Sequence, residues 1–317
     1  MGKRKTKRDE GLYSIAQESE VFVFLHCLPW AVRKAVKRDD LWRGHGRPPK
    51  ELYDILACLC IQRYVGVSAR RSMGWIKMLN RFARLNIDIP SWRTLARARA
   101  SAEIKPYLDA LLEVTTRPFK KLERDFSTDA TGARTKCFST WYSLRCGKRI
   151  RRRDHISAHV TTGRRTHAAF AASIDAQRGK DSEYMREHVK RIAQNFLIND
   201  WSGDSAYLAR ANCDAVRAVG GAPWFRPKKN TTSKPQGSPA WKDMVMEFKK
   251  NPRRARYHYH KRSQSESTFS SKKRKFGDGV RSRLDAAKEN EEHLAWTAHN
   301  FSMLSNAKYL LKAKIEF

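Results

Sequence analysis

The sequence predicts an α/β fold, a mixed sheet with helices on its faces, preceded by an all-helical N-terminal region. Two observations carry that reading. From Arg124 onward the hydrophobic pattern runs strand meander, helix, strand, helix, strand, helix, which is the alternation of a layered α/β protein. Before Arg124, apolar residues recur at helical spacing and no alternating run of strand length occurs. The chain therefore divides into a basic arm (1–20), a helical unit (21–124) and an α/β unit (125–317).

Residues 1–20 read as a loose basic arm, either a solvated terminus or a segment that touches DNA. Val21 to Val36 is apolar and reads as a short core element interrupted at Pro29, and Gly44 to Pro49 is a turn-rich connector. Leu52, Ile55 and Leu59 give the stripe of a first helix. Gly66 breaks it, and Ser68 caps a second over Ala69 to Leu79. After a turn at Asn86 to Pro90, Ser91 caps a short helix, Trp92 to Ala100, that displays Arg93, Arg97 and Arg99. Helix, helix, turn and short basic helix suits a helix-turn-helix reader of DNA, with Arg93 and Arg97 as contacts. The alternative is a small bundle whose arginines are a solvated face. Pro106 to Leu122 is a helix leading into the α/β unit.

In that unit, strands are expected at Phe126 to Gly132, ending in a polar turn, at Asp154 to Val160 and at His167 to Ile174, together an antiparallel meander. Ser182 to Phe196 is an amphipathic helix. Phe196 to Ile198 begins a buried strand that ends before Gly203, Leu208 to Val219 is a helix, and Ala222 to Arg226 is the next strand. After a basic loop come helices at Ala240 to Lys250 and Tyr257 to Lys275, a break at Gly277 to Gly279, and a final helix from Arg283 to Lys314. Its expected buried side is Leu294, Ala298, Phe301, Leu304 and Leu311.

Charge narrows the function. Lys and Arg total 65 against 32 acidic residues, a net +33 over 317 residues. The excess is on both sides of Arg124: 26 basic against 13 acidic up to it, 39 against 19 beyond. Such a balance implies a polyanionic partner, and the 40% hydrophobic content of a folded body favours nucleic acid over a membrane surface. The six cysteines form no C-x-x-C pair and no zinc spacing, so they read as reduced thiols of a cytoplasmic protein. No apolar run is long enough to span a bilayer.

Glu266 is the one acidic residue between Tyr259 and Lys273. At about 100° per residue, a continuous helix puts Tyr259, Arg262, Glu266 and Lys273 on one face. A carboxylate between cations can hold a metal while its neighbours hold phosphate oxygens; the plain alternative is a surface Glu/Arg pair. Asp129 and Asp204 each follow a predicted strand, where side chains project into a cleft. Two carboxylates at strand ends and one on a packed helix can hold two hard divalent cations, Mg²⁺ with Mn²⁺ substituting. Asp200 competes with Asp204 for the second position. Asp125, Asp154 and Asp181 read as surface or turn residues, His155, His159 and His167 as core or surface, and Trp224 as core.

These segments resemble a family. Tyr259, Arg262, Glu266 and Lys273 meet the Tyr-x2-Arg-x3-Glu-x6-Lys signature of insertion-sequence DDE transposases of families four and five. Asp129-Ala-Thr-Gly and Gly-Asp204-Ser-Ala-Tyr207 resemble its two aspartate segments, with Ala130 in place of the usual Ser. The resemblance implies an RNase H-like fold and Mg²⁺-dependent transposition. Asp129, Asp204 and Glu266 would bind two metal ions as catalytic residues. Tyr259, Arg262 and Lys273 would hold phosphates of double-stranded DNA, at element ends and target. A homodimer in a synaptic complex and a nucleoid-associated, prokaryotic location are further implications. Two alternatives stay open: a domesticated nuclease that cuts without joining, and a non-catalytic DNA-binding derivative.

Overall fold

The structure, a computed structural model, describes residues 9–36, 50–135, 145–147, 155–175 and 181–315. The first residues of the arm, the Gly44 to Pro49 connector, Asp154 and the basic Lys148 to Arg153 loop lie outside the described residues.

Strands β1 (Asp125–Thr135), β2 (His155–Gly163), β3 (Ala169–Asp175), β4 (Asp200–Gly203) and β5 (Ala222–Phe225) form a mixed sheet in the order β3-β2-β1-β4-β5. The first three are an antiparallel meander, as expected. β4 runs parallel to β1, and β5 parallel to β4. A two-residue strand, β6 (Gly279–Val280), pairs with the far end of β1 at Arg134 and Thr135. This mixed sheet is compatible with an RNase H-like domain.

Two strands depart from expectation. β1 does not turn at Ala130-Thr-Gly. Pairing with β2 continues to Arg134↔His155 and holds the polar stretch extended, so Asp129 lies within the strand rather than at its end. β4 begins at Asp200, after the apolar Phe196 and Ile198, which are buried in the approach to it. The apolar run marked burial, not extension.

The helices are α1 (Glu10–Glu18), α2 (Glu20–Ala35), α3 (Leu52–Val65), α4 (Ala69–Ala83), α5 (Trp92–Ala100), α6 (Lys105–Thr116), α7 (Asp181–Ala193), α8 (Arg210–Ala218), α9 (Pro239–Lys250), α10 (Pro252–His260), α11 (Ser263–Phe276) and α12 (Asp285–Leu310). The arm is thus not loose from Glu10 on. Asp9 caps α1 by accepting from the Leu12 N–H, and the Ser305 hydroxyl of α12 donates to the Ala16 carbonyl. Nor does Pro29 interrupt its element. α2 passes through it, because Leu25, Leu28, Ala31 and Val32 are fully or almost fully buried on both sides and offset a proline cost of about 3 kcal/mol. Gly66 ends α3 with φ +72°, and α4 leaves at 108°. Ser91 caps α5 through the Thr94 N–H.

α12 is the axis of the molecule. Its expected apolar side is buried except at Leu311, which lies beyond the helix and is half-buried. Its polar side is buried as well, because other elements satisfy it. Asn300 bonds Thr115 and both backbone groups of Ala169, Ser302 donates to Glu20, and His293 pairs with Asp109. α1, α2, α3, α5, α6 and β3 all pack on it. One apolar core consequently runs from Val23 to Ala307, through both the helical region and the sheet. Cys27, Cys58, Cys60 and Cys213 are buried and unbridged, and desolvation pushes the Cys27, Cys58 and Cys213 thiols up to about 12. Among the described residues no single helix is long and apolar enough to cross a membrane.

Candidate active site

The sheet register places the first two carboxylates side by side. β1 and β4 pair in parallel up to Thr128↔Gly203. Asp129 is the next residue of β1, and Asp204 is the first residue past the end of β4. Residues two apart share a sheet face, so Asp129 projects on the face of Ser127, and Ser202 lies on that face too, its hydroxyl donating to Ser127 at 3.2 Å. Beyond Asp129, β1 has no strand partner on that side until β6, which leaves a notch in the sheet among the described residues.

α11 covers that face. Its Ser265 hydroxyl meets the Thr162 hydroxyl at 2.9 Å, and Thr162 is the partner of Ser127 across β1 and β2. Thr268 reaches His167, and Phe269 packs edge-on against Trp296 of α12. With Ser265 anchored two residues from Asp129 along β1, the adjacent Glu266 stands at the notch. It is largely exposed, at 60% of its side chain.

Arg262 joins the two sides of the notch. Its guanidinium donates to Asp129 Oδ2 at 3.2 Å and lies 3.4 Å from Glu266 Oε1. Its Nε donates to the Tyr259 hydroxyl at 3.2 Å. Burial works against the Arg262 charge, but Tyr259, Asp129 and Glu266 outweigh it and hold its pKa up. For Asp129 the balance goes the other way. Burial raises its carboxyl above the usual range; the Ala130 N–H and Arg262 oppose this, and the charges of Asp204 and Glu266 reinforce it. Asp129 therefore senses the charges of both other carboxylates.

They do not yet form a ligand cluster. Among the described residues no three His, Cys, Asp or Glu side chains are close enough to hold a metal ion. An all-carboxylate donor set suits a hard divalent cation. A guanidinium lies between two of those carboxylates, and Asp204 Oδ1 accepts from the Ala206 N–H at 2.8 Å.

The signature row is split. α10 ends at His260 and α11 starts at Ser263, with i→i+3 bonds from Arg262, Gln264 and Ser265 closing the junction. Tighter turns shift the phase, so the four residues do not share one exposed face. Tyr259 is 8% exposed, its ring packed against Phe248, while Glu266 and Lys273 line a shallow groove with Thr131. Beside Tyr259 a second cleft of about 580 Å³ is lined by Arg226, Lys228, Lys229, Lys249 and Arg256. On α5, Arg93 and Arg97 are exposed; Arg99, expected beside them, is half-buried and bonded to Gln62.

Asp200, the competitor, is structural. It lies at the start of β4, where it accepts from Trp224 and meets His258 at 2.6 Å and Arg164 at 3.3 Å. Burial would raise its pKa, but His258, Trp224 and Arg164 hold it down. Trp224 is core, stacked on His258 at 4.5 Å. Ser265, which fixes α11 on the sheet, was missed; a lone serine in a hydroxyl-rich run gave no signal.

The chain is thus an α/β protein with two aspartates just past the end of the β1–β4 pairing and a basic helix over that face of the sheet. Residues 120–301, more than half of the chain, match the family model of the transposase DDE domain. The chain belongs to that family, and a DDE transposase domain implies an enzyme of the nuclease and transposase kind that acts on DNA. Searches of curated proteins and of solved structures found no match.

Proposed function

We propose that this protein is an insertion-sequence transposase that binds the terminal inverted repeats of its element, cleaves there and joins the freed end to target DNA. The reading is supported by the β1–β4 register, which ends one residue before both Asp129 and Asp204, and by Arg262, which bonds Asp129 and pairs with Glu266. Asp129, Asp204 and Glu266 would hold two divalent cations, Mg²⁺ or Mn²⁺, which supply charge stabilisation to the attacking and leaving oxygens when bound. The chain's own groups do the positioning. Lys273 and Arg262 hold DNA phosphates near the scissile bond, and Tyr259 acts through Arg262 by fixing its guanidinium. The basic cleft beside Tyr259 extends that track. Arg93 and Arg97, on the exposed side of α5, read the element end in a helix-turn-helix-like unit. Joining two ends calls for two copies of the chain, hence a homodimer in the synaptic complex.

The test is a strand-transfer assay on duplexes carrying the inverted repeats that border the coding region, with Mg²⁺. The reading predicts cleavage and joining. It also predicts that Glu266→Ala loses cleavage by at least about 10³-fold while still binding the end. Cleavage without joining would make the protein a nuclease, and binding without cleavage would make it a DNA-binding derivative.

A further inference from the structure

Away from the carboxylates, the α3–α4 turn meets the end of α11, β6 and the start of α12. These elements enclose a cavity of about 520 Å³. Five cationic side chains line it, Arg63, Arg99, Arg274, Lys275 and Arg281, against one carboxylate, Glu291. That carboxylate is already engaged. Its Oε1 accepts from the Arg281 N–H at 3.0 Å, and its Oε2 from the Ser282 N–H and hydroxyl at 2.9 and 2.6 Å. Lys275 is paired with Glu20. Besides Lys275, four arginines line the space, and Glu291 is its one lining carboxylate.

Three of their donors are stranded. Nε and Nη2 of Arg63 and Nε of Arg99 are shut off from solvent and have no hydrogen-bond partner. A buried polar group without a partner costs about 1–3 kcal/mol, more when charged, so such donors in a native fold need an explanation. Burial presses the Arg63 pKa down; Glu292 and Glu291 oppose this, and Arg281 and Arg99 add to it. The cluster is also held in place. Arg99 Nη1 donates to Gln62 Oε1 at 2.9 Å, and the Gln62 amide donates to the Ser72 hydroxyl at 2.8 Å. The N-terminus of α4 faces the same cavity through Gly66 to Ala69. Ser68 makes no side-chain cap bond there, and the first turn has no acidic residue. Forked guanidinium donors together with an uncapped helix N-terminus suit a tetrahedral oxyanion.

We propose that this cavity is a second anion site that takes a phosphate group, supplied by the backbone of bound DNA. Only the source of the phosphate rests on the transposase reading; the chemistry of the site does not. Arg274 lines both this cavity and the groove of Glu266 and Lys273, so the two sites share one helix, α11. A phosphate held here ties the DNA at once to the α3–α4 turn and to the helix that carries Glu266.

The test follows melting of the full chain in inorganic phosphate against chloride at matched ionic strength. It uses wild type, Arg63→Met, Arg281→Ala and, as a control at an exposed position of α7, Lys190→Ala. Arg281 is exposed, so Arg281→Ala keeps the test valid if Arg63→Met fails to fold. Phosphate should raise the Tm of wild type and Lys190→Ala by about 2–4 °C more than that of the cavity variants. In parallel, the affinity for a non-specific duplex should lose about one unit of salt slope per phosphate contact removed in the cavity variants, and none in the control. Phosphate protection that needs Arg63 and Arg281, with unchanged duplex affinity, would overturn DNA as the source and leave a site for free phosphate. Equal protection in all four proteins would overturn the site itself. Both readouts are independent of cleavage, so failure of the strand-transfer assay would leave this result standing.

Discussion

Asp129 shows what the site asks of a single residue. Its carboxyl is half-buried beside Asp204 and Glu266, and burial with those charges raises its pKa despite the Ala130 N–H and Arg262. The folded chain then binds a proton at Asp129 more readily than the unfolded chain does. That contribution to stability is present below the unfolded value of about 3.9 and is lost as pH rises through the raised folded value. Asp129→Asn should therefore melt above wild type at neutral pH in metal-free buffer, with the difference closing as the pH falls toward 4. Equal melting at all pH values would mean that Asp129 is not held against its charge. The residue types were legible, since Asp129, Asp204 and Glu266 stand in recognisable segments. The part Arg262 plays was not: a helical wheel aligned it with Glu266, but only the sheet shows that the same guanidinium reaches Asp129.

At the scale of the element, α11 decides where Glu266 stands. Its outward residues include Glu266, and its inward ones are Ser265, Thr268, Phe269, Lys272 and Phe276. Lys272 is 1% exposed and paired with Glu292 of α12. Breaking a buried pair leaves an uncompensated charge, so Lys272→Met should destabilise the protein by about 3–5 kcal/mol, and Lys272→Met with Glu292→Leu should recover most of that. Urea midpoints of the two variants check this; additive losses would contradict the pairing. The inward turn of Lys272 was not legible, because the run Lys272-Lys273-Arg274-Lys275 does not show which of its cations is buried. Local signals were readable where the physics is local. Gly66 had to end α3, and Ser91 had to cap α5. The junction between α10 and α11 was not readable, since the tight turn at Lys261-Arg262 has no glycine or proline to mark it.

For the molecule as a whole, α12 binds the helical region and the sheet into one core, which the amphipathic look of its sequence concealed. Long-range hydrogen bonds from Asn300, Ser302 and His293 bury its polar side. Two further buried histidines set acid stability. Burial holds His188 down to about 3 and His299 down to about 4, so both stay neutral when folded. The stability they contribute is present above the unfolded histidine value of about 6.5 and is lost as pH falls from there toward 4. Urea midpoints should decline over that window, and His188→Asn should flatten part of the decline; a pH-independent midpoint would contradict it. The net charge of +33 makes a second whole-molecule prediction. Duplex affinity should fall steeply between about 50 and 200 mM salt, whereas a flat dependence would exclude the basic surface as the interface. The central claim is that Asp129, Asp204 and Glu266 serve one metal-dependent centre. Its most direct test is Mn²⁺ binding followed by electron paramagnetic resonance on wild type, Asp129→Asn, Asp204→Asn and Glu266→Gln. The account predicts that wild type binds Mn²⁺ and that each substitution weakens binding by about 10-fold or more. Unchanged binding in any of the three would remove that residue from the centre.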